Sequence, residues 1–204
     1  MLKQVFVLTA MAVAATGPAL AATTTITDTT ATVKAAVNDA GNFDAGSGEG
    51  SLGLSYMGRE YINWGTHSSW YVFDAGGPTA TAWSATGSNP FSSTTYPAGP
   101  SATTTVASGG WGFTQTTFAS SPNSISVTVQ FKNNTGSDVV GAKYSVGFDP
   151  DQDVPNGTFA TANTILAATG TNAAVSALGI YGGYGIVLQN TTSAGAFAVQ
   201  SYIS

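Results

Sequence analysis

Three carboxylates fall within five residues in the stretch "YSVGFDPDQDVPNGTF", at Asp149, Asp151 and Asp153. If the extended chain before them simply continued, all three would splay into water on one face. Pro150 breaks that reading, because it cannot donate a ladder hydrogen bond and it restricts the residue before it. Pro155 and the Asn156-Gly157 pair make the rest a turn, and in a turn carboxylates converge. Two unit charges 5 Å apart repel by about 3 kcal/mol at an effective dielectric of 20. A hard divalent cation relieves that repulsion, and calcium accepts oxygen ligands in flexible geometry. The candidate ligands are Asp149, Asp151 and Asp153, with Asn156 and Asn163 as side-chain amides. Zinc is excluded in practice by the lack of cysteine and a single histidine, His67. The spacing is not that of an EF-hand: counting from Asp149, the glycine and glutamate positions hold Val154 and Ala160. The competing reading is a solvated acidic turn that keeps a weakly charged protein soluble.

A second group of residues could recognise sugars. "YINWGTHSSWY" concentrates Tyr61, Trp64, His67, Trp70 and Tyr71. Flat aromatic faces next to polar donors suit the CH faces and hydroxyls of a carbohydrate, although the same residues also fill β cores. Catalytic chemistry has weaker support. His67 has Ser68, Ser69 and Asp74 nearby, but sequence neighbours rarely form a triad and no G-x-S-x-G pattern surrounds them. Glu60 beside Arg59 reads as an ion pair of little energetic weight. The chain is therefore read as non-catalytic.

The elements that must position these residues are strands. "SISVTVQFK" alternates strictly, with Ile125, Val127, Val129 and Phe131 set toward a core. "NNTGSD" and then Tyr144, Val146 and Phe148 suggest that this strand returns as a hairpin with a long loop. Further strands are expected at "ATVKAAV", "LGLSY", "SWYVFD", "WGFTQTTF", "GIVLQN" and "GAFAVQSYI". Residues 84–105 are expected to be a long loop or irregular edge, and "FATANTILAATG" the one short helix. Many short strands separated by turn formers predict an all-β fold, a two-sheet antiparallel β-sandwich with long loops and at most one short helix.

Composition narrows the setting. Residues 1–21 have a positive start, an apolar run and small residues at Ala19 and Ala21, the pattern of a signal peptide. Residues 22–204 then form a single domain, with no transmembrane segment once the leader is removed. Charged residues are 7% of the chain, against ~25% in ordinary soluble domains. Four cations, Lys34, Arg59, Lys132 and Lys143, remain after the leader, too few and too scattered for nucleic acid or a polybasic membrane patch. Without cysteine, an exported chain has no disulfide to hold it. The nearly charge-free segment "ATTTITDTTATVKAAV" could pair with a neighbour's edge strand, which makes self-assembly another class to weigh.

The stretch "FKNNTGSDVVGAKYSVGFDPDQDVPNGTFATANTI" resembles a segment of large secreted and surface proteins of bacteria, often adhesin-like or carrying RTX-type calcium repeats. There an N-x-x-G hairpin leads into "DPDxDV" and then T-x-N. "VNDAGNF" and "GLSYMGREYINWGTHSSWYVFDAGG" also look like the opening of those domains. The two parts cover about half of the chain after the leader. The resemblance carries over to Asp149, Asp151, Asp153, Thr161 and Asn163 as a loop. No RTX nonapeptide is present, and the chain stops soon after "AVQSYIS", as either a short stand-alone version or a fragment. The expectation is a secreted or cell-surface, bacterial extracytoplasmic module, structural or adhesive, with a calcium-binding acidic loop. Its partner would be an extracellular glycan or a neighbouring surface protein. The alternative is a carbohydrate-binding domain using the aromatics.

Overall fold

The computed structural model describes residues 23–38, 41–45, 49–64, 69–74, 80–83, 92–98, 101–108 and 110–191. The expected leader, His67, Ser68 and the strand expected at "GAFAVQSYI" lie outside them. Along the chain run β1 (Thr23–Thr27), β2 (Val33–Asn38), β3 (Leu54–Tyr56), β4 (Arg59–Glu60) and β5 (Ser69–Asp74). Then come β6 (Ala80–Trp83), β7 (Ser92–Ala98), β8 (Ser101–Ser108), β9 (Trp111–Ser121) and β10 (Ser124–Asn133). Last are β11 (Lys143–Phe148), β12 (Thr161–Ala167), β13 (Ala174–Gly179) and β14 (Gly185–Gln189). A 3-10 turn at Val154–Asn156 is the one helical element among the described residues. No helix among them is long and apolar enough to cross a membrane.

The strands form four antiparallel sheets, in the orders β1-β2-β3-β4, β10-β9-β8-β7, β11-β5-β6 and β12-β13-β14. The all-β, sandwich-like expectation holds, with four sheets in place of two. β1 and β2 lie against β7, β8 and β9, and the main core fills the space between. It holds Ile26, Val37, Phe43, Ile62 and Ala102, with Phe148 and Ile186 reaching in from the other two sheets. A second cluster stacks Tyr71 on Phe113, ring centroids 5.0 Å apart, with Phe131 and Tyr144 beside them.

Alternation placed these strands well. On β9, Phe113, Gln115, Thr117 and Ala119 are buried at every second position. Gln115 is accommodated because its Nε2 donates to the Gly41 carbonyl at 2.6 Å, as a buried amide requires. β1 and β2 are joined by a turn that Asp28 holds. Its carboxylate accepts the N–H groups of Thr30 and Val33, each at 2.8 Å, and the Thr30 hydroxyl. Burial pushes the Asp28 carboxyl up, but these donors outweigh it and bring it down to about 2. The segment singled out for self-assembly is thus paired within its own chain, β1 on β2.

Three expectations are corrected. β10 and β11 do not form a hairpin: β10 pairs with β9, and β11 pairs with β5. The apolar faces of the two strands meet across a core instead, with Phe131 and Tyr144 ring centroids 5.3 Å apart. The expected loop at 84–105 contains β7 and most of β8, because threonine's β-branched side chain favours extended backbone. Pro97 lies on β7, the end strand of this sheet among the described residues, and edge strands are where proline is tolerated. The expected helix at "FATANTILAATG" is β12, whose Thr161, Thr164 and Ile165 pair with β13. Tertiary pairing outweighs the weak helical pattern there.

Candidate functional site

The acidic loop is a keystone between two sheets. The Asp151 N–H donates to the Tyr61 carbonyl at 2.7 Å, which ties the loop to the chain just after β4. Gln152 is fully buried, and its Nε2 donates to the carbonyls of Ala177 and Tyr184, both at 3.1 Å. One residue therefore faces the first sheet and the next grips the β13–β14 hairpin.

Asp153 is equally buried and completes the grip. Its carboxylate accepts the N–H groups of Tyr181 at 2.7 Å and Gly182 at 3.2 Å, and the Asn156 Nδ2 at 2.9 Å. The Tyr181 N–H is the chief cause of a lowered Asp153 pKa; burial opposes it, while Asn156, Gly182 and Arg59 help. Only glycine fits against this carboxylate. A Cβ at Gly179 would lie 2.6 Å from Asp153 Oδ2, and one at Gly182 would lie 2.8 Å from Oδ1. Arg59 adds a distant ion pair, Nη1 to Oδ1 at 3.7 Å, while Nη1 donates to the Gln152 carbonyl at 2.8 Å. Its guanidinium lies over the Tyr184 ring, 4.3 Å from the centroid. Asp153 is thus a structural anchor, its oxygens engaged by the β13–β14 turn, Asn156 and Arg59.

Asp149 and Asp151 are different. Among the described residues neither side chain accepts a hydrogen bond. Burial raises the Asp149 pKa. Burial first, and the Asp149 charge second, push Asp151 up to about 7. The loop's three carboxylates are thus divided into one structural anchor, Asp153, and two without donors, Asp151 buried and Asp149 exposed.

Arg59 and Glu60 do not form the ion pair expected from their adjacency. The Glu60 carboxylate turns inward and accepts four main-chain N–H groups, from Gly53, Leu54, Ile62 and Asn63, at 2.9 to 3.1 Å. Burial still dominates and raises the Glu60 pKa; the four donors pull the other way. Asp28, Glu60 and Asp153 thus play one part, each closing a turn by accepting main-chain donors.

The remaining candidates disperse. Asn156 serves the Asp153 anchor, and Asn163 lies on β12 with its Oδ1 accepting the Thr161 hydroxyl at 3.0 Å. Tyr61 and Tyr71 are core residues, and Tyr71 is 2% exposed with no partner for its hydroxyl among the described residues. Trp70 lies across from Gly147 on β11, where a Cβ would overlap the indole. The Ser69 hydroxyl accepts the Phe43 N–H at 2.8 Å, a structural contact.

Among the described members of the aromatic set, Trp64 alone borders an open cleft, of about 460 Å³, with Met57, Arg59, Pro155 and Tyr184. The Trp64 Nε1 donates to the Glu60 carbonyl at 3.3 Å. Its ring rests on Gly50, where a Cβ would lie 2.8 Å from the indole. Tyr184, Gln152 and Glu60 carry much of this region, and sequence reading assigned none of them a place in it. The available signal was weak: the glycines around Tyr184 in "GIYGGYG" mark close approach without naming what approaches. Comparison with protein-family models, curated proteins and solved structures found no match to this chain.

Proposed function

We propose that this chain is a non-catalytic structural or adhesive module of an exported bacterial protein, with an acidic loop that takes up calcium through Asp149 and Asp151. The supporting observation is a contrast. Asp28, Glu60 and Asp153 each have several N–H donors, whereas among the described residues the buried Asp151 and its exposed neighbour Asp149 have none. A buried carboxylate beside a second carboxylate and without donors lacks positive charge. Calcium supplies that charge, with water completing its oxygen shell. The proposed ligand set is smaller than the composition of the loop suggested, because Asp153 and Asn156 are committed to each other and to the β13–β14 turn.

Calcium bound here would stiffen the segment that joins the first sheet to the β13–β14 hairpin, a useful property in a chain without disulfides. Thermal unfolding with calcium and with EDTA tests this. Binding to the folded state alone stabilises by about 2.7 kcal/mol at a hundredfold excess over Kd. Identical melting curves in calcium and EDTA would remove the metal from the proposal.

A further inference from the structure

We infer that the cleft at Trp64 is a binding site for a neutral glycan, with the indole as the platform for one pyranose ring. This inference stands apart from the calcium reading, since neither Asp149 nor Asp151 borders the cleft.

The argument starts from charge. Two ionic side chains border the cleft, and both are already engaged. Arg59 is matched by Asp153 and covered by Tyr184. The Glu60 carboxylate is held by four main-chain N–H groups. A charged ligand would meet no uncompensated opposite charge, so the complementary ligand is neutral. The apolar surfaces point the same way: an indole, a phenol ring, the Met57 thioether and the Pro155 ring present CH and π faces. Met57 is 70% exposed at the tip of the β3–β4 turn, where no core packing accounts for it.

The platform is also fixed before any ligand arrives. Trp64 is held at one edge by its hydrogen bond to Glu60 and from beneath by Gly50, so its ring pays little ordering entropy on binding. The volume falls within the range of small-ligand sites. A pyranose offers a flat CH face to the indole and hydroxyls to the Arg59 fork and the main chain of the Gly50 and Gly58 turns. A proline-rich peptide would call for several aromatic ridges along an extended groove, which this short cleft does not supply.

The test is titration of the folded protein with neutral trisaccharides of glucose, mannose, galactose and N-acetylglucosamine, read by tryptophan fluorescence and calorimetry, in both calcium and EDTA. At least one sugar should bind equally in the two buffers, and Trp64→Leu should weaken it about tenfold or more with the melting temperature retained. Met57→Glu, on the exposed turn, should do the same and serves if the tryptophan variant misfolds. Unchanged affinity in a folded variant overturns the inference. So does the absence of binding to any of these sugars up to about 10 mM, or binding of a proline-rich peptide in their place. Calcium-dependent sugar binding would instead place the ligand at the acidic loop.

Discussion

Replacing Asp151 with asparagine should stabilise the metal-free protein at alkaline pH and abolish its response to calcium. Asp151 is 5% exposed, and burial together with Asp149 raises its pKa to about 7. A carboxyl whose folded pKa lies above its unfolded value favours folding while it keeps its proton. That contribution is complete below the unfolded pKa, near 4, and is lost as the pH rises through 7. A shift of about three pH units corresponds to at most about 4 kcal/mol, and solvent reaching the carboxylate reduces this to about 2 kcal/mol. Asparagine keeps the shape and cannot ionise. About half of this loss falls above pH 5.5, so in EDTA the wild-type protein should lose about 1 kcal/mol more than Asp151→Asn between about pH 5.5 and pH 8.5, or about 2–4 °C in Tm, the raised carboxyls of Glu60 and Asp149 being common to both proteins. The lowered carboxyls of Asp28 and Asp153 do not confuse the comparison. Their stabilisation is lost only as the pH falls through their folded pKa values, below this window. Adding calcium at pH 8.5 should restore the wild type and leave the variant unmoved. Differential scanning calorimetry across the pH series checks all of this. A wild-type Tm that is flat with pH in EDTA, together with an unchanged variant, would refute the claim that the carboxylate pair is uncompensated.

Other substitutions probe the anchors. Glu60→Gln should cost about 3 kcal/mol in urea unfolding, because one amide oxygen cannot satisfy four buried N–H groups. Gly179→Ala should cost about 2 kcal/mol, since its Cβ would sit 2.6 Å from Asp153 Oδ2; a loss of only a few tenths in urea titration would show that the anchor yields easily. Tyr71→Phe should raise stability by about 1 kcal/mol, because the buried Tyr71 hydroxyl has no partner among the described residues. A lower Tm in that variant would mean that the hydroxyl is satisfied in solution.

Where sequence reading succeeded, the signal was local. Period-two alternation placed β5, β9, β10, β11 and β14 nearly to the residue, since a half-buried strand must present apolar groups to one side only. It failed where partner choice mattered. "NNTGSD" promised a hairpin because turn chemistry says nothing about which strand lies across the turn, and β10 and β11 went to different sheets. The same limit governs the carboxylates. Three aspartates in a turn announce a concentration of charge, but whether each meets a cation, a proton or a main-chain N–H depends on residues far along the chain. For Asp153 those are Tyr181 and Gly182.

The chain's own pattern thus determined an all-β fold, its strand positions, its sparing use of charge and the position of the loop that would concentrate it. Tertiary structure alone decided that Glu60 and Asp153 act as turn anchors, that Asp149 and Asp151 are left as the pair without donors, and that Trp64 shares a cleft with Tyr184. The physical reason is range. Alternation and turn propensity are properties of neighbouring residues, whereas the compensation of a buried charge is set by whatever the folded chain brings against it.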